Sequence, residues 1–281
     1  MTATKSIKAV HFDLEIFTDA SLSGWGAVCN GKTTFGWWDK SLRSEHINFL
    51  ELQAILFGLK HFAINLNKIS ILVRTDNTTA LSSINRMGSV KFKKLNSLAK
   101  EIWQWCEIRD LWLVASYIKS SDNWQADQAS RILPPETEWA LNDAIFADIC
   151  KVFGEPEIDL FASRANRKCA KYVTWHQDPE AEAIDAFTIN WSKLNFYAFP
   201  PFSLILKTLN KVVAEKAEGV IVVPFWRSQP WYPLLLKLAQ GEPIFFGPKN
   251  NLVSSPYRST QHPLSYKLIL VAVKLSGRHL N

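Results

Sequence analysis

The sequence predicts a mixed α/β chain built as two layered domains. The first half runs in the order βββαβααβα, the second alternates helical and apolar strand-like segments, and Pro134-Pro135 breaks the chain between them. With 281 residues, 47% of them hydrophobic, the chain can bury two cores, so disorder over most of its length is excluded.

Taken in order, residues 12–19 alternate as a strand, and residues 25–30 and 32–39 form two more joined by an Asn30-Gly31 turn. Residues 44–47 then open a helix whose Phe49, Leu50, Leu52, Ile55, Leu56, Leu59 and Phe62 make a broad apolar face. The near-continuous apolar run 69–75 suits a central strand covered on both faces. Helices over 78–85 and 95–107, a strand over 111–118 and a short helix over 123–131 complete the first domain, 1–135. The second, 136–281, is expected to hold a helix over 138–153, a strand over 157–163, a turn at Pro200-Pro201, a helix over 204–217 and a strand over 219–225. Beyond Gln240, Pro243, Pro248, Pro256 and Pro263 predict a loop-rich tail before a last apolar run at 264–275.

Composition narrows the function classes. A net charge of +6 suits a polyanionic partner. Cys29, Cys106, Cys150 and Cys169 show no zinc or disulfide spacing, which fits a reducing compartment. No apolar run reaches the roughly 20 residues of a membrane span and the N-terminus has no signal-peptide core, so a soluble protein of cytoplasm or nucleus is expected. Twelve tryptophans imply large cores or stacking surfaces.

Four acids of the first domain stand where an acid is costly: Asp19 and Asp76 at the ends of two central strands, Glu51 within the apolar helix, and Asp127 in the last helix. Singly, a strand-end Asp is a turn former or cap and a helix Glu faces solvent. Jointly, the two aspartates share one sheet edge that Glu51 can reach, and such carboxylates repel unless cations lie between them. Mg²⁺ or Mn²⁺ are the matching hard ions, and a pair about 4 Å apart serves phosphodiester hydrolysis.

The segments FTDASLSGWGAV, HINFLELQAILFGL, VRTDNTTALSSINRMG and NWQADQASR, within about 12–135, resemble the ribonuclease H domain of retrotransposon polyproteins, most closely those of DIRS-type elements. The resemblance implies a ribonuclease H-like three-layer fold with a five-stranded mixed sheet in the order 3-2-1-4-5. It also implies Asp19, Glu51, Asp76 and Asp127 as catalytic, metal-binding carboxylates for two ions, and cleavage of the RNA strand of an RNA·DNA hybrid. Glu51 is placed to accept from the 2′-hydroxyl that only RNA offers. Ser21, Gly24 and Asn77 are candidate minor-groove and phosphate contacts, and Lys91, Lys93 and Lys94 a candidate basic loop for the DNA strand. One departure is evident: the loop YIKSSDNWQAD lacks the histidine that many such enzymes carry before the last aspartate, with Asp122 or Lys119 as candidate substitutes, while His46 and His61 fall on the first helix.

In the second half, IDLFASRANRKCAKYVTW, DAFTINWSKLNFYAFPPFSLI and VVPFWRSQPWYPLL resemble the N6-adenine methyltransferase module associated with such elements. Active members carry an acidic or amide residue before Pro-Pro-aromatic; here the run is Phe199-Pro200-Pro201-Phe202, and Phe199 cannot accept a hydrogen bond from an amine. The cofactor region has a single glycine, with Asp159 and Asp185 as remnants, so a degenerate, non-methylating domain is expected. Trp226, Trp231 and Tyr232 are stacking candidates that equally suit a core. Neither a reverse-transcriptase Asp-Asp turn nor a recombinase Arg/His/Tyr set is present, so the chain is expected to lie between those two modules, its partners besides the hybrid. A catalytically inactive nucleic-acid-binding module is the main rival reading; an integrase-type enzyme would lack Glu51.

Overall fold

The computed structural model describes residues 11–89, 92–133, 138–249, 251–257 and 261–278, so the Pro134-Pro135 break and Lys91 lie outside the described residues. The chain divides into two compact units, 1–133 and 134–281.

In the first unit, β1 (Leu14–Ala20), β2 (Gly24–Cys29) and β3 (Lys32–Trp37) form an antiparallel meander. The β2–β3 turn places Asn30 at φ 49° and Gly31 at φ 73°, left-handed values that Asn and Gly tolerate. Then follow α1 (Ile47–Phe62), β4 (Ser70–Thr75), α2 (Thr78–Asn85), α3 (Lys93–Glu107), β5 (Trp112–Tyr117) and α4 (Trp124–Ser130). The sheet order is β3-β2-β1-β4-β5, with β4 parallel to β1 and β5 parallel to β4, as the resemblance implied. Buried on both faces, β2 meets α1 on one side, where Gly58 packs near Ala27, and α4 on the other. A Cβ on Gly26 would stand 2.4 Å from the Ala126 carbonyl oxygen, so glycine is what lets α4 approach.

The second unit holds β6 (Ala140–Leu141), α5 (Asp143–Phe153), β7 (Ile158–Asp159), β8 (Lys171–Thr174), β9 (Ala183–Ile184), β10 (Asn195–Ala198), α6 (Ile205–Ala214), β11 (Glu218–Pro224), α7 (Tyr232–Leu238), β12 (Ala239–Phe246), β13 (Val253–Ser254) and β14 (Leu270–Ser276). Its seven-stranded sheet runs β12-β14-β11-β10-β7-β8-β9, parallel from β11 to β9 and antiparallel at β14 and β12.

Three expectations change here. The helix expected from 138 starts at Asp143, because Asn142 caps it by accepting from the Ala144 amide while Ala140–Leu141 pair with β13. The helix expected to 217 stops at Ala214, and Lys216 takes φ 51°. The stretch beyond Gln240 expected to be loop-rich supplies most of β12, while the last apolar run expected at 264–275 carries β14. Pro243 is accommodated because β12 is an edge strand whose register shifts between Gln240 and Ile244. The short strands β8, β9 and β10 were also beyond the pattern. Trp25, Trp38, Trp191 and Trp231 are core; Trp226 and Tyr232 pack partly buried against the core that holds Trp231.

Candidate functional site

Parallel register brings the first two acids together. Phe17 pairs with Arg74 across β1 and β4, so Asp19 and Asp76, each two residues further on, stand side by side at the carboxyl edge of the sheet. Buried α1 lays Glu51 across the same edge. Asp19, Glu51 and Asp76 each offer an oxygen, and these atoms lie within 4.8 Å of one another.

Each strand-end aspartate is held by a hydroxyl. Ser130 Oγ donates to Asp19 Oδ2 at 2.7 Å, and Ser120 Oγ donates to Asp76 Oδ2 at 2.5 Å. Asn123 Nδ2 donates to the Thr18 carbonyl at 2.9 Å, fixing the start of α4 against β1. Burial, reinforced by Asp76 and Asp127, raises the Asp19 carboxyl to about 6 against the lowering bond from Ser130. Burial raises Glu51 to about 9, with Asp19 and Asp76 adding to the effect. Glu51 Oε2 is buried and has no hydrogen-bond partner among the described residues. A partnerless buried oxygen beside two further carboxylates is a donor set suited to a hard divalent cation.

The other expected residues fall out differently. Asp127 is not in the close group: its Oδ1 accepts from Arg131 Nε at 2.8 Å and Nη2 at 2.6 Å, one turn along α4. Asn77 caps α2 through its Oδ1 and donates to Asn48, so its amide serves the fold rather than standing ready for a phosphate. Ser21 is buried, its hydroxyl bonded to the Ser130 carbonyl at 2.6 Å and to the Gly24 amide, while a Cβ on Gly24 would strike the Gly36 carbonyl; both residues shape the loop instead of presenting polar groups. Lys94 pairs with Glu45 at 2.6 Å and Lys93 begins α3. His46 caps α1 through Nδ1, and burial lowers the pKa of His61. Sequence reasoning missed Ser130, Arg131 and Asn123; their spacing around Asp127, on one short helix, was the available signal.

In the second unit, Asp159 is buried and accepts from the Phe161 and Lys168 amides; burial raises its carboxyl to about 7. Asp185 caps a short 3₁₀ turn over Ala186–Thr188. A cavity of about 750 Å³ opens at the carboxyl ends of β7, β8, β9 and β10, with Phe199 and Phe202 in its wall.

Residues 17–131 match the family model of reverse transcriptase-like proteins, and residues 132–246 match that of DNA N-6-adenine-methyltransferase (Dam). No curated protein matches the chain. Among solved structures, ribonuclease H1 of the halophilic archaeon Halobacterium salinarum NRC-1 is 16% identical over 41% of this chain and 92% of its own, with a TM-score of 0.34. LC11 ribonuclease H1, solved with an RNA/DNA hybrid, is 20% identical over 42% and 93%, with a TM-score of 0.36. An N-terminal ribonuclease H domain from Mycobacterium tuberculosis is 14% identical over 41% and 95%, with a TM-score of 0.30. Strand order and family match together give the first unit a ribonuclease H-like fold, and the chain joins it to a methyltransferase-like region.

Proposed function

We propose that the first unit is a metal-dependent endoribonuclease that cuts the RNA strand of RNA·DNA hybrids. The observation that carries this reading is the convergence of Asp19, Glu51 and Asp76 from three elements, with a buried, partnerless oxygen on Glu51. Two ions of the Mg²⁺ or Mn²⁺ class would be held by these three and Asp127; when bound, such ions activate a water and stabilise the leaving oxygen of a phosphodiester. Ser130 and Ser120 orient the ligand oxygens, as outer hydrogen bonds do at metal sites. Arg131 holds Asp127 in the free protein; transfer of its guanidinium to a substrate phosphate would release that carboxylate. Glu51 accepts from the 2′-hydroxyl, which selects RNA over DNA at the cut strand.

The pairing of a ribonuclease H-like unit with a methyltransferase-like region supports an origin in a retrotransposon polyprotein of DIRS type, where reverse-transcriptase and recombinase modules are the partners. Among the described residues no helix is long and apolar enough to cross a membrane.

The test is cleavage of a labelled RNA·DNA hybrid in Mg²⁺ and in Mn²⁺, with Asp76→Asn as control and duplex RNA as competitor. Hybrid-specific cleavage lost in Asp76→Asn is the expected result. Tight hybrid binding without cleavage in either metal would make the unit a binding module.

A further inference from the structure

Among the described residues the exposed tryptophans are Trp112, Trp124 and Trp175. Trp112 rests edge-on against Trp103 at 5.8 Å, and Trp175 against His176 at 4.9 Å. Trp124, 55% exposed, has neither a ring neighbour nor a hydrogen-bond partner for its indole N–H among the described residues. A single exposed apolar side chain is ordinary. What sets this one apart is where the backbone holds it.

Trp124 is the first residue of α4. Just before it, buried Asn123 donates through Nδ2 to the Thr18 carbonyl, next to Asp19, and its own carbonyl accepts from the Asp127 amide at 3.1 Å. At the other end of the helix, Ser130 Oγ donates to Asp19 Oδ2. Bonded to β1 at both ends, α4 keeps the indole at a fixed place beside the candidate centre. Its buried residues, Ala126, Ala129 and Ser130, turn towards the sheet, whereas Trp124, Asp127 and Gln128 follow at i, i+3 and i+4 on the outer face. Side chains so related have Cβ atoms about 5–6 Å apart. Helical side chains lean towards the N-terminus, which directs the indole over the loop 118–123, whose Ser120 hydroxyl holds Asp76. A rigidly based, unpartnered aromatic side chain therefore flanks the carboxylates on the α4 side.

Covering that indole takes a partner with an apolar face and an acceptor for Nε1–H, at a centre whose ions would draw in phosphates. A nucleotide sugar supplies C–H groups on one face and, in RNA alone, a 2′-hydroxyl as acceptor. The bases of a paired hybrid do not, because their faces are covered within the stack. We propose that Trp124 is a substrate-binding residue that packs on the ribose of the RNA nucleotide adjoining the one whose 2′-hydroxyl Glu51 accepts from. This inference rests on the ribonuclease reading. The indole fixes the path of the cut strand, so it governs affinity and leaves the bond-breaking step alone.

The test uses the full chain and hybrids in which one 2′-O-methyl group is moved along the RNA strand, its position counted from the cut made by the unaltered protein. Binding in Mg²⁺ is followed by fluorescence anisotropy in the Asp76→Asn background, with and without Trp124→Ala or Trp124→Phe. Trp124→Ala is expected to weaken binding of the unmethylated hybrid about tenfold and Trp124→Phe much less, at unchanged melting temperature. With Asp76 intact, Trp124→Ala should raise KM by a like factor and keep kcat within about twofold. A methyl group at one position within about two nucleotides of the cut should cost about fivefold in affinity when Trp124 is present and nothing in Trp124→Ala, the non-additivity of a direct contact. Should Trp124→Ala fail to fold, Trp124→Gln takes its place in the same comparison. An unchanged Kd on removing the indole, equal methyl penalties with and without it, or a fall in kcat at unchanged KM would each overturn the inference while hybrid cleavage stands. A chain that neither binds nor cuts the hybrid would overturn the ribonuclease reading and this inference with it.

Discussion

At the scale of single residues, the candidate centre is a place where stability has been given up for charge. The carboxyls of Asp19 and Glu51 are raised to about 6 and about 9, mainly by burial, so the folded, metal-free unit retains protons that the unfolded chain releases nearer 3.8 and 4.5. Stability from these groups is therefore greatest at low pH and falls as pH rises through those folded values. Glu51→Gln is expected to raise the melting temperature by a few degrees in chelator at pH 8, and to lose cleavage when assayed in Mg²⁺ or Mn²⁺; calorimetry in chelator at pH 5 and pH 8 should show the gain in stability chiefly at the higher pH. Ser130→Ala removes the bond that lowers the Asp19 carboxyl, so the acid limb of the cleavage pH profile is expected to move to higher pH, with rates at pH 6 falling more than at pH 8. A histidine installed before Asp127 belongs at exposed Ser121 rather than at Ser120, whose hydroxyl serves Asp76; turnover of Ser121→His on the hybrid should exceed that of the unaltered protein.

Among the elements, α4 is the one on which the centre depends most. It carries Asp127, Ser130 and, at its C-cap, Arg131, and it reaches β2 only because Gly26 has no side chain. Gly26→Ala would drive a methyl group into the Ala126 carbonyl and Ala129, with a cost of about 1–3 kcal/mol for overpacking. The expected signature is a lower melting temperature together with a fall in cleavage larger than the stability loss explains, because Ser130 moves away from Asp19. The shared sheet edge of Asp19 and Asp76 and the apolar face of the first helix were legible in the sequence, since apolar periodicity and strand-end acids are local patterns. The capping of α2 by Asn77 and the loop-forming role of Ser21 were not: their hydrogen bonds compete with any exposed role, and only their neighbours in space reveal it.

For the whole molecule, two units each with its own core place the candidate metal centre entirely in residues of the first. Divalent metal is accordingly expected to slow amide hydrogen exchange in β1, β4, α1 and α4 and to leave the seven-stranded sheet unchanged; protection gained equally in both units would contradict that location.

By itself the sequence determined the order of elements in the first unit and the four acids, because both depend on residue type and short spacing. Tertiary structure decided the rest. It assembled three of those acids and left Asp127 to Arg131, drew the start of an apparent proline-rich tail into β12, and placed a ring-lined cavity beside Glu138. These outcomes rest on pairings between residues far apart in the chain, where burial and partner availability, not local propensity, set the balance.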